Sequence, residues 1–181
     1  MNEYLDCFLL LFFSIILGER CSVNLIKSIG SNIVQQYTLW NLCGPAETTL
    51  QSLFHRIDLR ADAENIPLGR PLPNYHCTVV DCFGQRSFVG QEGEVLVSGV
   101  GIFAGYLRHN DLTAQAFLEI NSDINYRTGD LVKMDFNGVL HYIGRKDFQI
   151  KLHGQRIELG EIERCLLSIS SISACVVIKW G

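Results

Sequence analysis

Asn137-Gly138 stands between two β-prone runs, Tyr126–Met134 and Val139–Ile143, and constrains the fold more than any other short feature. An Asn-Gly pair tolerates the left-handed backbone of a tight reversal, so the two runs are predicted to form an antiparallel hairpin. Further strands are predicted at Phe54–Leu59, Cys77–Val80, Gly93–Gly99 and Phe148–Leu152, and Tyr37–Leu42 is short and β-prone. Gly44-Pro45 and the stretch from Pro67 to Pro73 read as loops between them. Helices are expected over Ser22–Gln36, with Ser22 as N-cap, and over Asp111–Leu118, capped by Asp111. A third is expected over Glu158–Leu167, where Leu159, Ile162, Leu166 and Leu167 share a stripe and Glu158 and Glu161 favour the dipole. Ala174–Trp180 reads as a strand, and the chain ending on it reads as a truncation. The pattern is that of a mixed α/β chain.

At 181 residues, ~70% of the unfolded surface can leave water, enough for a core. A 48% hydrophobic content with net charge -4 excludes disorder. The length fits one domain, or one domain with a second attached. The 15 basic and 19 acidic residues are interspersed, which argues against a nucleic-acid partner. Seven widely spaced cysteines without a Cys-x-x-Cys pair fit reduced thiols in a cytoplasmic protein better than zinc or a disulfide scaffold. The five histidines show no metal-ligand spacing either. Cys7–Leu17 is almost wholly apolar, but residues 1–6 lack the positive charge of a signal peptide, and a membrane helix needs ~20 residues. A buried strand is expected there, with no membrane role.

Four segments go beyond composition: Asn41-Leu42-Cys43-Gly44-Pro45-Ala46-Glu47, Gly93–Gly99 continuing to Gly105-Tyr106-Leu107, Tyr126-Arg127-Thr128-Gly129-Asp130-Leu131, and the run Gly144–Glu163. Singly, each has an ordinary structural reading. Gly-Pro is usually a turn, and Arg-Thr-Gly-Asp is often a reversal between strands. Gly99-x-Gly101-x-x-x-Gly105 misses the dinucleotide fingerprint by one residue.

In this order and spacing the segments resemble adenylation domains of nonribosomal peptide synthetases, within the wider adenylate-forming superfamily. The resemblance runs from about Gly18 onward, and the last segment, Gly-Arg-x-Asp-x-Gln-x-Lys-x-x-Gly-x-Arg-Ile-Glu-Leu-Gly-Glu-Ile-Glu, is the most specific. The wording Glu158-Leu159-Gly160-Glu161 favours the peptide-synthetase type over acyl-CoA synthetases, the runner-up. The resemblance implies the C-terminal, β-barrel-like part of a large subdomain over residues 1–146. Residues 147–181 would begin a small α+β subdomain. It implies a ligase that joins an amino acid or other carboxylate to the α-phosphate of ATP, releases pyrophosphate, and passes the acyl group to a phosphopantetheine carrier domain.

By the same resemblance, Glu47 matches the acid that holds Mg²⁺, a hard cation suited to one carboxylate plus phosphate oxygens. Asn41, Leu42, Cys43, Gly44, Pro45 and Ala46 match the loop around adenine and the α-phosphate. Asp130 matches the carboxylate that accepts both ribose hydroxyls. Tyr142 and Arg145 match further nucleotide contacts, Arg145 as a fixed cation. Asp147 matches the hinge between subdomains, and Gly154 the loop that meets the carrier's pantetheine arm. Cys43 stands where the family commonly has Tyr, and Ala46 where it has Thr, so a stacking ring and a hydroxyl donor are replaced. The family's phosphate loop, amino-group Asp and C-terminal Lys are not identified in this chain. The expectation is therefore a fragment of a larger synthetase, inactive alone, or else a non-catalytic nucleotide-binding or interaction module.

Overall fold

The computed structural model describes Val23 and residues 38–58, 60–62, 64–147, 149–152 and 155–178. The strand expected over Cys7–Leu17 and Gly154 lie outside the described residues, as does the helix over Ser22–Gln36 apart from Val23. The chain divides into two compact units, Met1–Gly144 and Arg145–Gly181.

In the first unit, β1 (Trp40–Cys43), β2 (Leu53–Arg56) and β3 (Arg70–Pro71) form an antiparallel three-stranded sheet. A five-stranded sheet runs β4 (Tyr75–Val80), β5 (Glu92–Gly99), β7 (Asp123–Met134) and β6 (Phe117–Ile120), and β8 (Leu140–Arg145) also pairs with β7. β5 is buried from Gly93 to Val97, the signature of a central strand covered on both faces. Leu53, Val79, Val95, Val132 and Leu140 make the core, with Cys43, Leu68, Cys77 and Met134 packed against them. Burial, and secondarily the neighbouring Cys43, pushes the Cys77 thiol up to about 12, so it sits in the core as a neutral, inert group. None of the five described cysteines is in a disulfide. The two sheets are tied through Gly69: Leu140 donates its N–H to the Gly69 carbonyl at 2.8 Å, and the Leu68 and Gly69 N–H groups donate to the Leu140 carbonyl at 2.9 and 3.2 Å.

The hairpin expected at Asn137-Gly138 joins β7 to β8. Of the pair only Gly138 (φ 75°) is left-handed, so the reversal is a longer loop closed by Asp135, not a two-residue turn. The Asp135 N–H donates to the Val139 carbonyl at 3.0 Å. Its carboxylate accepts the N–H groups of Asn137 at 2.8 Å and Val139 at 2.9 Å, and His141 Nε2 lies 3.3 Å from it. The bond from Val139, opposed by desolvation and helped by His141 and the Asn137 N–H, holds the Asp135 carboxyl below its ordinary 3.8. A depressed carboxyl contributes stability above its unfolded pKa and loses it as pH falls through the folded value. Asp135→Asn is therefore expected to lower the melting temperature at neutral pH, with the gap to the parent closing as pH drops below 3.8. A gap that stays constant down to pH 2 (about two units lower) would contradict this role.

Three expectations are corrected. The helix at Asp111 is α1 (Asn110–Ala116), with His109 at the N-cap position, and Phe117 and Leu118 belong to β6 instead. There they pair with Tyr126 and Asn125 of β7, so the strand's ladder overrides helical propensity. The expected strand Phe54–Leu59 ends at Arg56, and the Asp58 carboxylate turns the chain by accepting the N–H groups of Arg60 and Ala61.

The second unit holds the antiparallel pair β9 (Gln149–Leu152) and β10 (Gln155–Glu158), followed by α2 (Leu159–Leu167). Along the expected stripe Leu159 is buried and Leu166 half-buried, while Ile162 and Leu167 are exposed. The third correction is Ala174–Trp180, whose described residues form no strand. The Val177 N–H instead donates to the Glu163 carboxylate of α2 at 2.9 Å, and Cys175 Sγ lies 3.4 Å from the Glu163 carbonyl.

Candidate functional site

β1 leads into the first chemical segment. Asn41 is buried and donates its side-chain amide to the Pro67 carbonyl at 2.7 Å, so its side chain fastens the Pro67 segment to β1. Cys43 packs against the core. Gly44 is required by the protein's own backbone: a Cβ there would lie 2.6 Å from the Ser52 nitrogen and 2.7 Å from Gln51 Cα. Pro45 is extended and opens a 3₁₀ turn, Ala46–Thr48, in which Ala46 is exposed and Glu47 is 6% exposed.

A buried carboxylate is costly without partners. Tyr106 donates its hydroxyl to Glu47 Oε1 at 2.8 Å, and the Phe103 N–H donates to the Glu47 carbonyl at 2.9 Å. Thr49 donates its hydroxyl to the Gly101 carbonyl at 2.7 Å, and Tyr75 donates to the Thr48 carbonyl at 2.8 Å. The Gly99–Tyr106 loop is thus clamped to the Glu47 turn. Phe103 also packs on Tyr106 (4.8 Å between centroids), Phe117 (5.3 Å) and Tyr126 (5.6 Å). This aromatic cluster links Glu47 to β7, four residues before Asp130. In the sequence Tyr106 reads only as part of Gly105-Tyr106-Leu107, with no signal of this contact. Tyr106→Phe keeps the packing but removes the donor, and is expected to cost about 1–3 kcal/mol in urea unfolding. A loss below about 0.5 kcal/mol would show that the hydroxyl does not hold Glu47.

Asp130 sits on a distortion of β7. β5 and β7 pair Glu94 with Leu131 and Leu96 with Arg127, so Val95 alone faces Thr128, Gly129 and Asp130. The two extra residues form an enlarged bulge, which re-aims a strand locally. Thr128 donates its hydroxyl to the Val95 carbonyl at 2.7 Å and accepts the Asp130 N–H at 3.0 Å. Gly129 (φ 73°) donates its N–H to Glu94 Oε1 at 3.3 Å. Arg127 donates to the same buried carboxylate, Nη2 to Oε2 at 2.7 Å and Nε to Oε1 at 3.4 Å. Asp130, the last residue of the bulge, is half-buried. From the sequence alone Glu94 reads as an ordinary strand residue. A lone acid in the otherwise uncharged run Gly93–Gly99 is the feature that would have exposed it.

Tyr142 lies on β8, half-buried, two residues past the core Leu140. In the second unit Arg145 grips Asp147 through two 2.7 Å bonds, Nε to Oδ1 and Nη2 to Oδ2, and the Gln149 N–H donates to Oδ1 at 3.1 Å. Asn41 to Glu47 thus form one segment, Asp130 a separate bulge linked to it through aromatic packing, and Arg145 with Asp147 an ion pair.

The sequence profile of the "AMP-binding enzyme" family matches residues 7–107, more than half of the chain. The chain belongs to the AMP-binding enzyme family. It is 40% identical over 142 residues to zwittermicin A synthase ZmaJ of Bacillus cereus, covering 77% of this chain and 27% of that protein. Its fold matches PA1221, an NRPS protein containing adenylation and PCP domains, with TM-score 0.80 at 28% identity, over 91% of this chain and 34% of that one. It also matches the Vibrio cholerae adenylation domain AlmE in complex with glycyl-adenosine-5'-phosphate, with TM-score 0.79 at 29% identity, over 91% of this chain and 32% of that one. The chain of this AMP-binding family member thus spans about a third or less of these relatives. The mixed, strand-rich architecture is that of part of an adenylation domain, as the sequence implied.

The donor set of this chain bears on Mg²⁺. Among the described residues no group of three or more His, Cys, Asp and Glu stands together to hold a metal. Glu47 offers one hard carboxylate on a short, clamped turn, and Mg²⁺ in phosphate sites takes one or two carboxylates with phosphate and water completing its shell. The residue fits such an ion. Among the described residues no helix is long and apolar enough to cross a membrane.

Proposed function

We propose that this chain supplies nucleotide-binding elements of a cytoplasmic, ATP-dependent ligase that adenylates an amino acid and passes it to a carrier-domain thiol. The observation that carries this reading is the Thr128–Asp130 bulge in β7, where a half-buried carboxylate stands on a backbone fixed by Thr128 and Glu94. Such a carboxylate can accept two vicinal hydroxyls, as a ribose presents. The glycyl-adenosine-5'-phosphate bound to AlmE supports the same class of product.

In this reading, Asp130 anchors the ribose. The backbone from Asn41 to Ala46 borders adenine and the α-phosphate, Tyr142 adds a second contact, and Arg145 supplies a permanent cation. Glu47 would hold Mg²⁺, whose chemistry is to neutralise charge gathering on the phosphates. A carboxylate oxygen of the amino acid attacks the α-phosphorus, and the bond to pyrophosphate breaks with its electron pair on the leaving group. The carrier thiolate then attacks the acyl carbon, and AMP departs. Asp147 would be the hinge, dividing the chain at 146/147, and Gly154 would lie in the loop that meets the carrier. PA1221, which contains adenylation and PCP domains, supports such a partner. Cys43 and Ala46 favour a second reading, a module that binds nucleotide without turnover, because a stacking ring and a hydroxyl are replaced.

ATP and AMP titrations of the 181-residue chain test the proposal. Mg²⁺ is expected to strengthen ATP binding to the parent chain but not to Glu47→Gln, with AMP binding similar in both. Binding of neither nucleotide, or an equal Mg²⁺ effect in both proteins, contradicts it. Amino-acid-dependent exchange of labelled pyrophosphate into ATP separates the ligase from the module.

A further inference from the structure

We infer that Glu94 is the positioning residue for Asp130: its buried carboxylate fixes the β7 bulge and thereby aims the Asp130 carboxylate at the nucleotide's sugar hydroxyls. The inference rests on the reading of Asp130 as the ribose acceptor.

Glu94 is 4% exposed, and a carboxylate so placed needs charge-assisted partners. It has them on the distorted stretch itself. Arg127, the last residue in register before the bulge, donates through Nη2 and Nε, and Gly129, the middle of the bulge, donates its N–H. Leu131, the first residue back in register, pairs with Glu94 along the ladder. One side chain therefore grips the start and centre of the bulge, and its own backbone meets the end. The same carboxylate holds the Arg127 guanidinium above its ordinary pKa, as a close ion pair should. Thr128 bonds the Asp130 N–H from inside the bulge, but its other contact is the Val95 carbonyl, one residue along from Glu94. Without the Glu94 anchor, Gly129 and Arg127 lose the contact that sets the path of the loop, and the direction of Asp130 changes with it. In β5, where Gly93 and Val95–Val97 are buried and uncharged, an acid has no packing use that valine would not serve better.

The test reads sugar recognition, which a merely structural role would not move. Affinities of the 181-residue chain for ATP and for 2′,3′-dideoxy-ATP are measured at millimolar nucleotide by calorimetry or ligand-observed NMR. Two hydroxyl bonds to a carboxylate should favour ATP about tenfold or more in the parent chain. Asp130→Ala should bring that preference close to unity. Glu94→Gln, near-isosteric, should do the same while dideoxy-ATP binding stays within about twofold of the parent. Should Glu94→Gln not fold, the double variant Glu94→Met/Arg127→Met carries the same test, because it removes the buried charge together with its partner. A folded Glu94 variant, single or double, that keeps the parent's preference, while Asp130→Ala abolishes it, overturns the positioning role alone. If Asp130→Ala keeps the preference, the ribose reading fails and the inference with it.

Discussion

Gly69→Ala is expected to destabilise the first unit by about 3–5 kcal/mol, a large share of the ~5–15 kcal/mol that holds a domain together. Two costs coincide there. Gly69 has φ 96°, where a side chain is strained by about 1–3 kcal/mol. Its Cβ would also lie 1.9 Å from the Phe54 carbonyl oxygen and 2.4 Å from the Phe54 carbonyl carbon, backbone atoms of β2 that cannot swing aside. Relief would pull Gly69 away from Leu140, breaking the reciprocal bonds that tie the two sheets. In a thermal melt followed by circular dichroism, a drop of about 10 °C or more is expected. A shift under about 2 °C would mean that the Gly69–Leu140 junction is not a structural tie.

Asp130→Ala should have the opposite profile: a large effect on ligand and a small one on fold. Its N–H, which the substitution keeps, bonds Thr128, and the half-buried side chain is outside the core cluster. Loss of a carboxylate that accepts two hydroxyls is expected to weaken ATP and AMP binding about 10–100-fold. Melting should stay within about 3 °C of the parent. Unchanged affinity, or loss of folding, would each remove Asp130 from the role assigned to it.

The contrast between these residues shows what the sequence carries and what it does not. Asn137-Gly138 and the Glu158–Leu167 periodicity are local properties, and both features form close to where the residues place them. Phe117-Leu118 and Ala174–Trp180 fail for one reason: strand or helix there depends on which neighbour satisfies the backbone. The edge of β7 takes the first, and the Glu163 side chain takes an N–H of the second. For the candidate site, motif spacing finds the segments but not how each side chain is used. Asn41 and Gly44 stand in the expected loop, yet their visible constraints are a bond to Pro67 and a close approach of Gln51-Ser52. Glu94 and Tyr106 brace the two carboxylates from strand and loop positions 36 and 59 residues away (130 − 94 and 106 − 47). No local pattern encodes such a pairing, because the folded sheet alone brings those residues together.

The most direct test of the account is a structure of this chain soaked with AMP. The ribose is expected with both hydroxyls on the Asp130 carboxylate and the adenine beside the Asn41–Ala46 segment. AMP seated elsewhere, or with its ribose turned away from an unaltered Asp130 bulge, would contradict it.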